Sequence, residues 1–271
     1  MSTPTIYARD IAQALESWAK PEFAESYDNV GLHVGSPTCE VTHVLIALEL
    51  TSEVLSEAIS ANASMIVTHH PLLFRPLSRI LNNDPIGHFI MELIRHEISL
   101  YSIHTNLDAA PDGVSFELAN ILDLQEPIFL SPNSNGISGM GVLGQLSHSE
   151  SLKSFMDRIH QQLSSPILRY TGSLSKMVKT IAICGGSGGS LIETALVKGA
   201  DVFVTADLSY HRFFEVLDGQ GRCQMALIDA GHYETEKHTQ QLLTTWLKKR
   251  FPSVTFMCTN CVTNPIHYST V

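Results

Sequence analysis

The sequence predicts a duplicated α/β fold, built from βα repeats on mixed, mostly parallel sheets. One strand-helix-strand pattern occurs twice, and each time a third strand runs into a histidine with a carboxylate four residues on. The strands are continuous apolar runs alternating with helical patterns, which implies a buried, largely parallel sheet. In the first copy, residues 44–48 are apolar, 53–60 have helical spacing, and 65–68 are apolar again. A third strand, 100–104, ends in His104, with Asp108 beyond it. In the second copy, 178–184 is a strand, 191–197 is helical through Ile192, Ala195 and Leu196, and 200–205 is the next strand. Its third strand, 228–232, ends in His232, with Glu236 beyond it. Both middle strands end in threonine followed by histidine, His69 and His70 in one copy and His211 in the other. Such repetition marks an internal duplication, and ligands of open α/β sheets gather at the carboxyl ends of the strands.

The flanking elements follow the same logic. A first helix over 8–18 places Ile11, Leu15 and Trp18 on one face, and a last helix over 234–250 does so with Leu242, Leu243, Trp246 and Leu247. Residues 128–144 are rich in Ser, Asn and Gly and mark the expected joint between the halves, with 141–146 opening the second copy as a strand. The expected domains are 1–128, carrying His69, His70 and Asp108, and 137–271, carrying a Gly-rich loop, His232 and Glu236.

Composition narrows the function. At 271 residues, with 44% hydrophobic and 16% charged residues, the chain can bury one large core or two small ones. A net charge of −10, from 17 basic and 27 acidic residues, lacks the footprint of a nucleic-acid binder. The cluster Lys248-Lys249-Arg250 fits a helix C-terminus, where positive charge is favourable. Residues 2–15 include Arg9 and Asp10 with no apolar core, and no run reaches the ~18 apolar residues of a membrane span. The expectation is a cytoplasmic protein that begins near Met1 and has no membrane partner. Five cysteines, an odd number, agree with a reducing compartment, and Cys258-Thr-Asn-Cys261 is a lone C-x-x-C, weak as a zinc or redox signal.

The histidines and carboxylates each admit two readings. His69 and His70 are either backbone-bonded residues of a strand-end loop or half of a metal site. Adjacent side chains on extended backbone alternate faces, so the pair would reach two metals more easily than one. Asp108 is followed by Pro111 and Gly113, which places it in a loop, as a turn former or a ligand. Glu236 falls in the first turn of the last helix, as a complement to the helix dipole or a ligand. His104, His211 and Glu234 fit partners that orient ligands. Nitrogen and oxygen donors together suit Zn, Mn, Fe, Co or Ni, and the absence of thiolates argues against a closed structural zinc. Convergence of these residues on three strand ends, in two copies, favours the metal reading. The loop Cys184-Gly-Gly-Ser-Gly-Gly-Ser190 is either a tight strand-helix turn or an anion site formed by Gly185, Gly186, Ser187 and Gly188. It lacks the Walker A ending and the dinucleotide spacing, and no G-x-S-x-G elbow is present.

Taken in order, Tyr27-Asp-Asn-Val-Gly-Leu32, Thr68-His-His-Pro-Leu-Leu-Phe74, Ile103-His-Thr-Asn-Leu-Asp108, Cys184-Gly-Gly-Ser-Gly188, Thr205-Ala-Asp207 with His211, and Asp229-Ala-Gly-His-Tyr-Glu-Thr-Glu236 resemble the GTP cyclohydrolase I type 2 homologue family, the Nif3-like dinuclear-metal-centre proteins. The resemblance spans almost the whole chain. It implies two intertwined domains, a toroidal homohexamer and two divalent metal ions per chain. The implied ligands are His69, His70, Asp108, His232 and Glu236, with Glu236 bridging the metals and His104 and His211 as nearby catalytic groups. His33 departs from the glutamine usual in the family and alters the cavity rather than the metals. The expected activity is binuclear hydrolysis of a nucleotide or other phosphorylated small molecule through a metal-bridging water. The alternatives are a metal-binding or metal-delivery protein without turnover, and a ring-shaped interaction protein with structural metals.

Overall fold

The structure is a computed structural model that describes residues 4–134 and 136–269, so the expected start near Met1 lies outside the described residues. In chain order the strands are β1 (Gly31–Val34), β2 (His43–Ala47), β3 (Met65–Thr68), β4 (Ser99–Ser102), β5 (Gln125–Pro132), β6 (Gly139–Ser151), β7 (Arg169–Tyr170), β8 (Met177–Ile183), β9 (Val202–Thr205), β10 (Ala226–Asp229) and β11 (Thr255–Cys258). The helices are α1 (Ala8–Trp18), α2 (Ser52–Ser60), α3 (Pro85–Arg95), α4 (Thr105–Asp108), α5 (Val114–Ile121), α6 (Leu152–Leu163), α7 (Ile192–Val197), α8 (His232–Glu236) and α9 (Thr239–Arg250). None of them is long and apolar enough to cross a membrane, among the described residues.

The chain forms two compact units. The first comprises Met1–Leu107 with Thr239–Pro265, the second Asp108–His238 with Ile266–Val271. This differs from the expected division at 128–137. The Ser-, Asn- and Gly-rich stretch belongs to a β-hairpin inside the second unit, where β5 pairs antiparallel with β6. Turn-forming residues signal a chain reversal, whether or not a domain ends there.

The first unit holds a sheet in the order β1-β4-β3-β2-β11, parallel throughout except for the edge strand β1. Leu45, Ile66 and Leu100 meet Val54 and Ala58 of α2 and Ile90 and Leu93 of α3 in one apolar cluster. The rings of Trp18 and Trp246, from α1 and α9, stack at 4.8 Å. The sheet of the second unit runs β5-β6-β8-β9-β10-β7, with β8, β9 and β10 parallel. Its strands feed two clusters by alternation. Ile181, Ile183, Val202, Val204 and Ile228 pack with Phe155 and Ile159 of α6, while Ala182, Phe203 and Leu227 pack with Ile192 and Ala195 of α7. Both faces are covered, hence the continuous apolar runs. Each buried side chain of this size stabilises the fold by about 1.5–3 kcal/mol. The duplication is visible as two parallel triplets, β2-β3-β4 and β8-β9-β10, whose middle strands both end on a buried threonine, Thr68 and Thr205.

Candidate metal centre

In the first unit, the backbone beyond β3 is held by His69 N–H donating to Ala47 C=O (3.2 Å) and His70 N–H to Leu48 C=O (2.9 Å). The adjacent end of β4 is tied down by Ile103 N–H donating to Thr68 C=O at 2.9 Å, and the buried Thr68 and Ser102 hydroxyls are 3.0 Å apart. These ends bring three imidazoles together: His69, His70 and His104 each offer a nitrogen within 4.8 Å of the others. The His69 and His70 rings are 5.0 Å apart, closer than opposite faces of a strand allow, because the strand ends at Thr68. The expectation that the two diverge is corrected accordingly.

Each ring is oriented from behind through Nδ1. His69 Nδ1 meets Ile103 C=O at 2.8 Å, His70 Nδ1 meets Glu49 Oε1 at 2.9 Å, and His104 Nδ1 meets Asp28 Oδ1 at 2.9 Å. Carbonyl and carboxylate oxygens only accept, so Nδ1 carries the proton and Nε2 is the donor atom for a metal. Burial pushes the Asp28 carboxyl up, but hydrogen bonds from His104 and Thr105 outweigh it and hold Asp28 well below the usual carboxylate range.

The second unit supplies carboxylates. Asp108 and Glu236 offer oxygens within 4.8 Å of each other, and His232 Nε2 is 3.0 Å from Glu236 Oε2. His232 does not end a strand as expected: β10 stops at Asp229, Gly231 turns the chain at φ +91°, and α8 begins at His232. Helical spacing then stacks His232 under Glu236 at i,i+4. The expected last helix is broken, so Glu236 closes the short α8 and Thr239 opens α9. Asp108 likewise ends the helical turn α4 and not a loop; the proline and glycine that suggested a loop act after it. His232 Nδ1 bonds Asp207 Oδ2 at 2.7 Å, repeating the arrangement of the first unit. Burial opposes a charged His232, but hydrogen bonds to Asp207 and Glu236 prevail and push it up to about 11. The His232 bond also lowers Asp207.

The Gly-rich loop lies against this group. Gly185 N–H donates to the Ser115 hydroxyl (3.2 Å), Gly186 N–H to Thr235 Oγ1 (3.0 Å) and Gly188 N–H to Thr205 Oγ1 (2.8 Å), so these groups serve the protein's own hydroxyls. Gly186 has φ +60°, and a Cβ there would collide with Glu236 Oε1. Its glycine lets backbone approach a carboxylate. Burial, then the charges of Asp108 and Glu236, push the Cys184 thiol well up, so it stays protonated in the metal-free protein.

Reasoning from sequence missed the roles of Glu49, Asp28 and Asp207. Asp28 and Asp207 stand inside recognisable motifs, and Glu49 directly follows a predicted strand, which was the available signal. Glu234 is buried in α8. His211 is exposed in a 3-10 turn, edge-on to Tyr210 at 5.3 Å.

Each unit's donors, three imidazoles anchored through Nδ1 in the first and one such imidazole with two closely spaced carboxylates in the second, are of the kind that divalent first-row metals take. A Clostridium acetobutylicum protein described as a GTP cyclohydrolase 1 type 2 homolog is 35% identical over 234 residues, 86% of each chain. A Streptococcus pneumoniae protein of the same description is 29% identical over 96% of this chain and 99% of its own. The crystal structure of Staphylococcus aureus hypothetical protein SA1388 superposes with a TM-score of 0.90 at 30% identity, covering 98% of this chain and all of the other. A family model matches residues 6–265, and the chain belongs to that family, Duf34/NIF3 (NGG1p interacting factor 3).

Proposed function

We propose that the protein is a cytoplasmic binuclear metal-dependent hydrolase acting on a nucleotide or other phosphorylated small molecule, with His69, His70, Asp108, His232 and Glu236 as ligands. The observation that carries this is the common anchoring of four imidazoles through Nδ1, three of them on carboxylates, which orients Nε2 for coordination. Free thiols at all five cysteines agree with a reducing compartment. Divalent ions bound by these residues would supply Lewis acidity and an acidified water.

His104 is the candidate general base. Its Nδ1–H donates to an ionised Asp28, leaving Nε2 to take a proton while the carboxylate stabilises the imidazolium that forms. Thr105 fixes the other Asp28 oxygen through both its backbone N–H and its hydroxyl, so the pair keeps its orientation. His211 is the weaker catalytic candidate, being exposed among aromatic rings. Resemblance to the family also supports self-association as a homohexamer, which sedimentation velocity would test.

The decisive experiment is elemental analysis of protein purified without chelator or affinity tag, beside His70→Ala and Glu236→Ala, followed by a phosphoester screen. About two metal equivalents per chain, lost in both folded variants, with turnover abolished in Asp108→Ala, is the expected result. No metal after incubation with Zn, Mn, Fe and Co salts would overturn the reading. Metal without turnover of any phosphoester would favour the metal-delivery alternative.

A further inference from the structure

The first unit contains a cleft of about 1120 Å³ that the metal chemistry does not account for. Its outer wall is apolar: Phe74, Leu77, Ile80 and Ile94 line it and remain 41–62% exposed. Side chains of this size left open together mark a binding surface. The inner end is polar and backed by the strand ends that carry the imidazoles. There His33 Nε2 bonds Asn29 C=O at 3.0 Å, and His33 Nδ1 is 3.4 Å from the Ser102 hydroxyl. Asn29 N–H donates to Asp28, the residue that orients His104.

The charge of the lining indicates what would fill it. Among the described residues that line it, Arg75 is the only lysine or arginine, opposed by Asp28 and Glu97, and burial holds His33 below the ordinary imidazole value. A polyphosphate, with about three or four negative charges, needs several cationic or N–H donors. An apolar body with one anionic group needs only Arg75.

We propose that this cleft is the substrate-recognition pocket, and that it selects apolar or aromatic molecules bearing a single anionic group over nucleoside triphosphates. That the occupant is a substrate rests on the hydrolase reading; that the cleft binds this chemistry does not. The test is therefore made on metal-stripped protein. The probes are the fluorescent mono-anion 8-anilinonaphthalene-1-sulfonate and its neutral analogue N-phenyl-1-naphthylamine, titrated against wild type, Arg75→Ala, Ile80→Glu and Ile94→Glu. Both probes should saturate at about one site per chain, with Arg75→Ala weakening the sulfonate about fivefold or more and leaving the neutral probe unchanged. The two glutamate variants, at exposed positions, should weaken both probes about tenfold or more while metal uptake stays at the wild-type level. Excess GTP should not displace either probe. Equal binding by all variants, or ready displacement by GTP, would overturn the proposal. So would a change of sedimentation state in the glutamate variants, which would make the face a contact between copies of the chain. Failure of wild type to take up metal would sink the hydrolase reading and leave the titration intact.

Discussion

The two units hold their candidate ligands in opposite ways. The first offers three imidazoles on the ends of adjacent parallel strands, each oriented by a hydrogen bond from behind. The second offers one imidazole and two carboxylates, on helical turns placed by a glycine bend and closed by a glycine loop. The first arrangement follows from sheet topology, since parallel strands end together. The second depends on backbone conformations that only particular residues adopt. It also pairs His232 Nε2 with Glu236 Oε2 at 3.0 Å, where a metal would compete for the same atoms.

The sharpest way to break this contrast is at Gly186. Gly186→Val combines a left-handed backbone with a collision against Glu236, so it should destabilise the protein by about 2–4 kcal/mol in urea unfolding and abolish metal retention. Next come the residues behind the rings. Asp207→Ala and Glu49→Ala should each weaken metal binding about 10–100-fold against a chromophoric chelator, with Asp207→Ala the larger, because its unit has one imidazole to lose.

The pH dependence separates the units further. His232 is raised to about 11, so it is protonated in metal-free protein at neutral pH and must give up that proton to coordinate. Metal uptake at pH 7.5 should release about one proton per chain from this residue, and affinity should rise with pH until the proton is lost. Calorimetry in buffers of different ionisation enthalpy measures this, and Asp207→Ala should reduce it. The smallest effect is expected at His211, exposed among aromatic rings, where alanine should change stability by no more than about 0.5 kcal/mol and leave metal content intact.

The parallel triplets were legible because a strand buried on both faces must be apolar throughout, as 44–48 and 202–204 are. The ligand candidates were legible because histidines and carboxylates recur at corresponding strand ends. The local structure of His232 and Asp108 was harder to read. Four residues after a strand end, a loop and a single helical turn leave the same trace, and the positive φ of Gly231 that decides between them is a property of the folded backbone. The three carboxylates behind the rings belong to segments distant in sequence: Glu49 to His70, Asp28 to His104 and Asp207 to His232. Periodicity carries no information about such pairings. The division into units was hidden for a similar reason, since composition marks turns and does not report which turns separate cores.

The pairing of β11 with β2 carries a consequence for synthesis. Val44 and its neighbours find their partners at Phe256 and beyond, almost at the other end of the chain. At about 5–20 residues per second, a ribosome takes on the order of ten to forty seconds to supply that strand. Until then β2 presents an unpaired, apolar edge, the kind of surface on which nascent chains associate. In the completed sheet β2 is paired on both sides and the edge passes to β11; in the growing one β2 is the edge, and the interval before β11 arrives is when a chaperone that masks strand edges would matter most.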